Sequence, residues 1–159
     1  MKQLTIGFSK PIKSKIGAWL IEKWMNKPYS HVFFYYQDDQ KRDLVFQAAH
    51  GLVHLISLER FLHDNKIVKT YVLDATPGEY QAFRDYYYSK LGLPYDFMDL
   101  VFVFLFKLLG KLGIKHQFPN YSGYICSELA SDCLAKVFKV PLNKPANMYD
   151  PSDVEDLLV

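Results

Sequence analysis

Ser30-His31-Val32-Phe33-Phe34-Tyr35-Tyr36-Gln37 is the most strand-like run in the chain: β-branched and aromatic residues follow one another with no glycine or proline between them. The polar run Asp38 to Asp43 makes a turn, and Leu44 to Ala49 returns as a second strand, so the two read as a hairpin with a longer loop. Upstream, Leu4 to Phe8 is a short strand. Downstream, Gly51 is a second turn, Leu52 to Ile56 another strand, and Lys66 to Leu73 a further one.

Helical spacing surrounds these strands. Ile16, Leu20 and Trp24 recur every four residues and mark one face of a helix between Ser14 and Asn26, closed by Lys27-Pro28. Ser57 suits an N-cap, with Arg60 where the glutamate of a full capping box would stand. Thr76 and Pro77 suit the cap and first turn of a helix running to about Lys90, broken by Leu91-Gly92-Leu93-Pro94. A further helix begins near Cys126 and runs to about Val137. Pro141, Pro145 and Pro151 punctuate the tail, where Ser152 is placed to cap a last short helix through Leu158. Strands gather in the first half and helices in the second, which predicts an α+β fold with a mostly antiparallel sheet. With no internal repeat, low-complexity tract or linker, residues 1–159 are expected to form a single domain.

Composition narrows the function classes. The chain of 159 residues is half hydrophobic and 23% charged, which fits a folded domain and excludes disorder as the default. A net charge of +2 without a long basic run gives no electrostatic reason to expect a nucleic-acid partner. No basic region followed by an apolar block opens the sequence, so no secretory signal is read and a cytoplasmic location is expected. The most apolar stretch, Leu100 to Leu112, is interrupted by Lys107, Gly110 and Lys111 and falls short of the roughly 20 residues of a spanning helix. It reads first as a buried helix and second as a membrane-surface helix, so that 97–112 offers a route to peripheral membrane contact.

The two cysteines, Cys126 and Cys133, sit seven positions apart on one expected helix, roughly 10 Å along its axis. That exceeds the roughly 7 Å limit between Cα atoms of a disulfide, so both are expected to be free thiols. Cys126 falls at the helix start, where unpaired amides and the helix dipole favour a thiolate. Cys133 falls mid-helix among Leu129, Leu134 and Val137, where packing is its expected role.

An imidazole is needed to take the thiol proton, and His31, His50 and His54 are all candidates from the residues alone; His63 and His116 lie in polar contexts that suit solvated side chains. A third polar group usually orients such a base. Gln47 lies between Phe46 and Ala48 on the strand expected to pair with that of His31; it reads equally well as an inward amide holding the ring or as an exposed strand glutamine. No metal-ligand spacing and no glycine-rich phosphate cradle is present, so no metal or cofactor is expected.

The order of these features resembles a known family. A Ser-His-Val strand is followed by a Phe-Gln-Ala strand leading to Gly51-Leu52-Val53. Then come Leu91-Gly92-Leu93-Pro94-Tyr95-Asp96, Tyr124-Ile125-Cys126-Ser127-Glu128-Leu129 and Asp150-Pro151-Ser152-Asp153-Val154. From His31 to Val154 this series resembles the circularly permuted, YiiX-like branch of the NlpC-type papain-like cysteine peptidases, in which histidine precedes cysteine. The resemblance implies a central antiparallel sheet packed against the helix that presents the nucleophile, with Cys126 matching the nucleophile, His31 the base and Gln47 the orienting polar position. In relatives of that branch the third position is often acidic; here it is an amide. The implied activity is cleavage of an amide bond, foremost in a peptidoglycan-type peptide, with a peptide or acyl compound as substrate. A lipid-directed thioesterase or acyltransferase of the same architecture, and an inactive binding module, are the alternatives.

Overall fold

The run that begins at His31 is the middle strand of the sheet. In the computed structural model, which describes residues 2–13, 16–95, 109–110 and 123–159, five strands follow in the order β1 (Lys2–Pro11), β2 (His31–Gln37), β3 (Asp43–Ala49), β4 (Leu52–Ser57) and β5 (Asn65–Ala75). They form one open antiparallel sheet in the spatial order β4-β3-β2-β1-β5. With neighbours on both sides and helices on its faces, β2 buries Val32, Phe33, Phe34 and Tyr36, which explains its nearly unbroken apolar character. Among the described residues five α-helices accompany the sheet: α1 (Ile16–Met25), α2 (Leu58–Asp64), α3 (Pro77–Lys90), α4 (Cys126–Phe138) and α5 (Pro151–Asp156), with a 3-10 turn over Ala146–Met148. The architecture is therefore mixed α and β, with strands and helices where the sequence puts them. The apolar stretch 97–112, except for 109–110, lies outside the described residues, as do Asp96 and His116.

Alternation along the strands divides the core. Val32, Phe34, Tyr36, Phe46, Ala48 and Val53 point to one face and pack with Phe83 and Tyr87 of α3 and Leu129, Cys133 and Leu134 of α4. Phe33 and Val45 point to the other face, against Phe61 of α2. Gly7 pairs with Phe33 across β1 and β2. A Cβ there would stand 2.2 Å from the Phe33 ring, so only glycine lets that ring lie flat over β1. Phe33 then packs against Phe61 (centroids 4.4 Å apart) and stacks beside His31 (6.4 Å).

Local signals hold at most element boundaries. Thr76 and Glu79 form a complete capping box at α3 with Pro77 in its first turn, and the Ser57 hydroxyl accepts the Arg60 amide at α2. The expectation for the last helix needs correction. Asp150, not Ser152, is the N-cap of α5: its carboxylate accepts the Asp153 amide at 2.9 Å, and Asp153 completes a capping box. Ser152 lies inside the first turn and donates its hydroxyl to Asp150 at 2.6 Å. A carboxylate attracts the helix amides more strongly than a hydroxyl, and it left no cap for Ser152 to supply.

Glu155 of α5 ties this helix to the segment that leads into β2. The carboxylate is buried and accepts from Lys27 (2.6 Å), Lys69 (2.6 Å), Tyr71 (3.0 Å) and the hydroxyl of Tyr29. Burial alone would raise its pKa, but these four donors outweigh it and hold the carboxyl down at about 2. Lys27 and Tyr29 flank the Pro28 that closes α1, two to four positions before His31.

Candidate functional site

His31, Gln47 and His54 form a row across β2, β3 and β4 on the face that carries α2. Gln47 and His54 are direct cross-strand partners in the β3–β4 register, and one shared face puts all three side chains in reach of each other. The β3–β4 connection is His50-Gly51, with φ of +52° and +91°. A two-residue turn of this kind needs left-handed backbone at both positions, which Gly51 adopts without a Cβ clash.

The row has a direction, set at one end by a group that can only accept. His54 Nδ1 lies 3.1 Å from the carbonyl oxygen of Leu52, so Nδ1 carries the proton and donates. In the neutral ring Nε2 must then accept, and it does so from the Gln47 amide nitrogen at 3.0 Å. This turns the Gln47 oxygen toward His31, where it accepts from Nε2 at 2.7 Å. His31 Nδ1 is thereby the nitrogen with a free lone pair. Gln47, only 2% exposed, is the inward amide of the two alternatives its sequence context allowed. His54 anchors the row at the Leu52 carbonyl, and His50 stands nearby with its ring 6.4 Å from that of His54.

Both row histidines are held neutral. Burial pushes His31 down to about 4, against the opposing pull of the Gln47 hydrogen bond, with His50 and His54 adding to the depression. Burial lowers His54 as well, more than its backbone acceptors raise it. His63, exposed and paired with Asp64 at 2.8 Å, takes no part in the row.

Cys126 is the first residue of α4, after Ile125, an N-cap with no side-chain hydrogen bond. α4 packs on the face opposite the histidine row, and its N-terminus reaches the end of β2. There the amides of Val32, Ser127 and Cys126 itself face the sulfur. Val32 adjoins His31 in β2, so the sulfur faces the backbone one residue from the imidazole-bearing position, and among the described residues no hydrogen bond joins sulfur and imidazole. The segment before α4 is held in place by a short ladder: Tyr124 N–H donates to Pro94 at 2.9 Å, and Tyr95 N–H donates to Gly51 at 3.0 Å.

The expected thiolate does not form at rest. Cys126 is 5% exposed, and burial pushes its thiol up to about 11 despite the three amides that favour the anion; Asp150 adds to the rise. Desolvation of the sulfur outweighs what the helix N-terminus contributes toward the anion. Cys133 is fully buried and raised further, as its core position implies. Both cysteines are free.

A groove of about 440 Å³ opens beside the row, lined among others by His31, Gln47, Gly17 and Ala18 of α1, and Tyr95. Gly17, Ala18, Ala48 and Ala49 are the small residues in its lining. Tyr95 is the residue sequence reasoning passed over: it lines the groove, and burial, with the Cys126 thiol adding to it, raises its hydroxyl pKa. Its place in the Pro94-Tyr95-Asp96 motif was the available signal. Among the described residues no cluster of His, Cys, Asp or Glu is arranged to hold a metal ion, and no helix is long and apolar enough to cross a membrane. Compared with known proteins, the chain matches no protein-family model and no curated protein.

Proposed function

We propose that this chain is a cysteine-dependent acyl hydrolase of the permuted NlpC-type papain-like kind, with Cys126 as nucleophile, His31 as base and Gln47 as the group that orients it. The observation that carries this reading is the one-way hydrogen-bond row that leaves His31 Nδ1 unprotonated at the strand end where the Cys126 sulfur lies. The resting pair is a neutral thiol and a neutral imidazole. As the sulfur attacks the acyl carbon, the thiol proton passes to Nδ1, and Gln47 Oε1 keeps its hydrogen bond to the imidazolium that forms. The backbone amide of Cys126 meets the developing oxyanion, with the Tyr95 hydroxyl, kept protonated by burial, as a second donor. Collapse breaks the bond to the leaving amine or alcohol, which takes the proton from Nδ1. Water, deprotonated by His31, then attacks the thioester, releases the acid and restores the thiol.

The acyl group of the leading reading is that of a peptide amide, foremost a cell-wall-type peptide. A lipid ester is the second reading, favoured by a specific observation: the groove is bordered by α1, whose outer face is apolar and exposed. Hydrolysis of peptide amides and of acyl esters, measured side by side with intact-mass detection of the acyl-enzyme, tests both. Turnover by wild type, loss in Cys126→Ala and an acyl adduct on Cys126 are expected; full activity in Cys126→Ala overturns the mechanism, and no turnover of either class leaves a binding module.

A further inference from the structure

We propose that α1 is an interfacial helix that docks this protein on an anionic lipid surface. Ile16, Trp19 and Leu20 are 80%, 50% and 53% exposed, Trp24 continues the same stripe one turn on, and no residue of α1 is buried. The side of the helix toward the groove beside His31 carries small or medium residues, Gly17, Ala18 and Ile21. Met25 alone of this helix packs against the core, so a helix of ten residues, about 15 Å long, that leaves Ile16, Trp19 and Leu20 outward presents most of its bulky apolar surface to a second apolar phase.

Charge says which phase. Between Lys10 and Lys27 the sequence carries five lysines against a single acid, Glu22. Lys27 is committed to Glu155, but Lys13 and Lys23 are exposed, and Lys23 Nζ lies 4.9 Å above the Trp19 ring. Exposed Ile12 extends the apolar surface past Lys13. Tryptophan and aliphatic side chains flanked by lysines match the boundary between headgroups and acyl chains, where rings and alkyl groups sink in and ammonium groups meet phosphate. A protein partner would need no such concentration of one charge. The docking stands on α1 alone. If the catalytic reading holds, it also puts the mouth of the His31 groove at the membrane, because Gly17, Ala18 and Ile21 border both.

Both tryptophans of the chain, Trp19 and Trp24, lie on this helix, so intrinsic fluorescence reports on α1 and nothing else. The full chain is mixed with vesicles of phosphatidylcholine containing about a third phosphatidylglycerol, and with phosphatidylcholine alone. Flotation with the anionic vesicles, a blue-shifted emission and loss of acrylamide quenching are expected, with much weaker effects on neutral vesicles. Ile16→Ser with Leu20→Ser, both at exposed positions, should weaken partitioning by at least about tenfold, and Lys13→Glu with Lys23→Glu should abolish the preference for anionic lipid. Cys126→Ser should bind vesicles like wild type, which separates this test from that of the chemistry. Failure to float overturns the proposal. So does emission that is already blue and shielded from acrylamide in the vesicle-free protein, which would mean that another segment or, if sedimentation shows a dimer, a second copy covers the face.

Discussion

Two helices of similar length treat their apolar residues in opposite ways. α4 buries eight of its residues, among them Leu129, Cys133 and Leu134, against the sheet, while α1 buries none and turns Ile16, Trp19 and Leu20 outward. Both carry a clear apolar face, so periodicity alone describes each equally well. What separates them is how much meets the body: Leu129, Leu134 and Val137 of α4 are buried in the core, whereas on α1 only Met25 packs against it and Gly17, Ala18 and Ile21 line the groove. A helical period reports that a face exists; the neighbour that receives it comes from elsewhere.

The largest expected effect sharpens the comparison at the head of α4. Cys126→Ala should reduce turnover at least about a thousandfold while circular dichroism and the urea midpoint stay near wild type, because the sulfur is small and sits at the helix end. Next, paired truncations set the two helices against each other. Leu134→Ala, at a fully buried site, should cost about 2–5 kcal/mol in urea unfolding. Leu20→Ala on α1 should change stability by less than about 0.5 kcal/mol. Equal losses would break the contrast.

The third prediction concerns the groove that α1 borders. His31 has its pKa lowered by burial to about 4, so between the ordinary value near 6.5 and 4 the unfolded chain binds the proton that the native state refuses. Stability should therefore fall as pH drops through that window, by up to about 3 kcal/mol and less where water screens the ring. His31→Asn should flatten that part of the profile in urea titrations. Glu155, held at about 2, adds a further loss below about pH 4.5, which the His31 variant should keep. Catalytic activity should share the His31 limb, since a protonated Nδ1 cannot act as base.

The smallest effect tests the row itself. His54→Phe removes the acceptor that orients the Gln47 amide, so His31 loses its enforced tautomer. A fall of about tenfold in kcat with little change in KM is expected, together with an acid limb displaced from that of wild type. A loss confined to KM would instead make His54 a groove-lining residue.

Much of this was legible before any coordinates. Thr76-Pro77 with Glu79 placed α3 because a cap, a proline and a carboxylate act within one turn of chain. His31 and Gln47 were placed on paired strands by the aromatic run and the polar turn after it. Ser152 misled because a serine before a short helix resembles a cap, and only the fold shows that the Asp150 carboxylate already occupies the amides. The thiolate expected at Cys126 failed for a related reason: the helix end is a local property, but exclusion of water from the sulfur is not.

The sequence by itself determined the elements and their order, because caps, turns and alternation work over a few neighbouring residues; it left His31, His50 and His54 all open as the imidazole. The tertiary structure alone decided which nitrogen of His31 is bare, since that depends on a carbonyl at Leu52 acting through His54 and Gln47 across three strands. It also decided that the apolar stripe of α1 faces outward. Hydrogen-bond direction and burial depend on how strands and helices are brought together, and local sequence does not specify that arrangement.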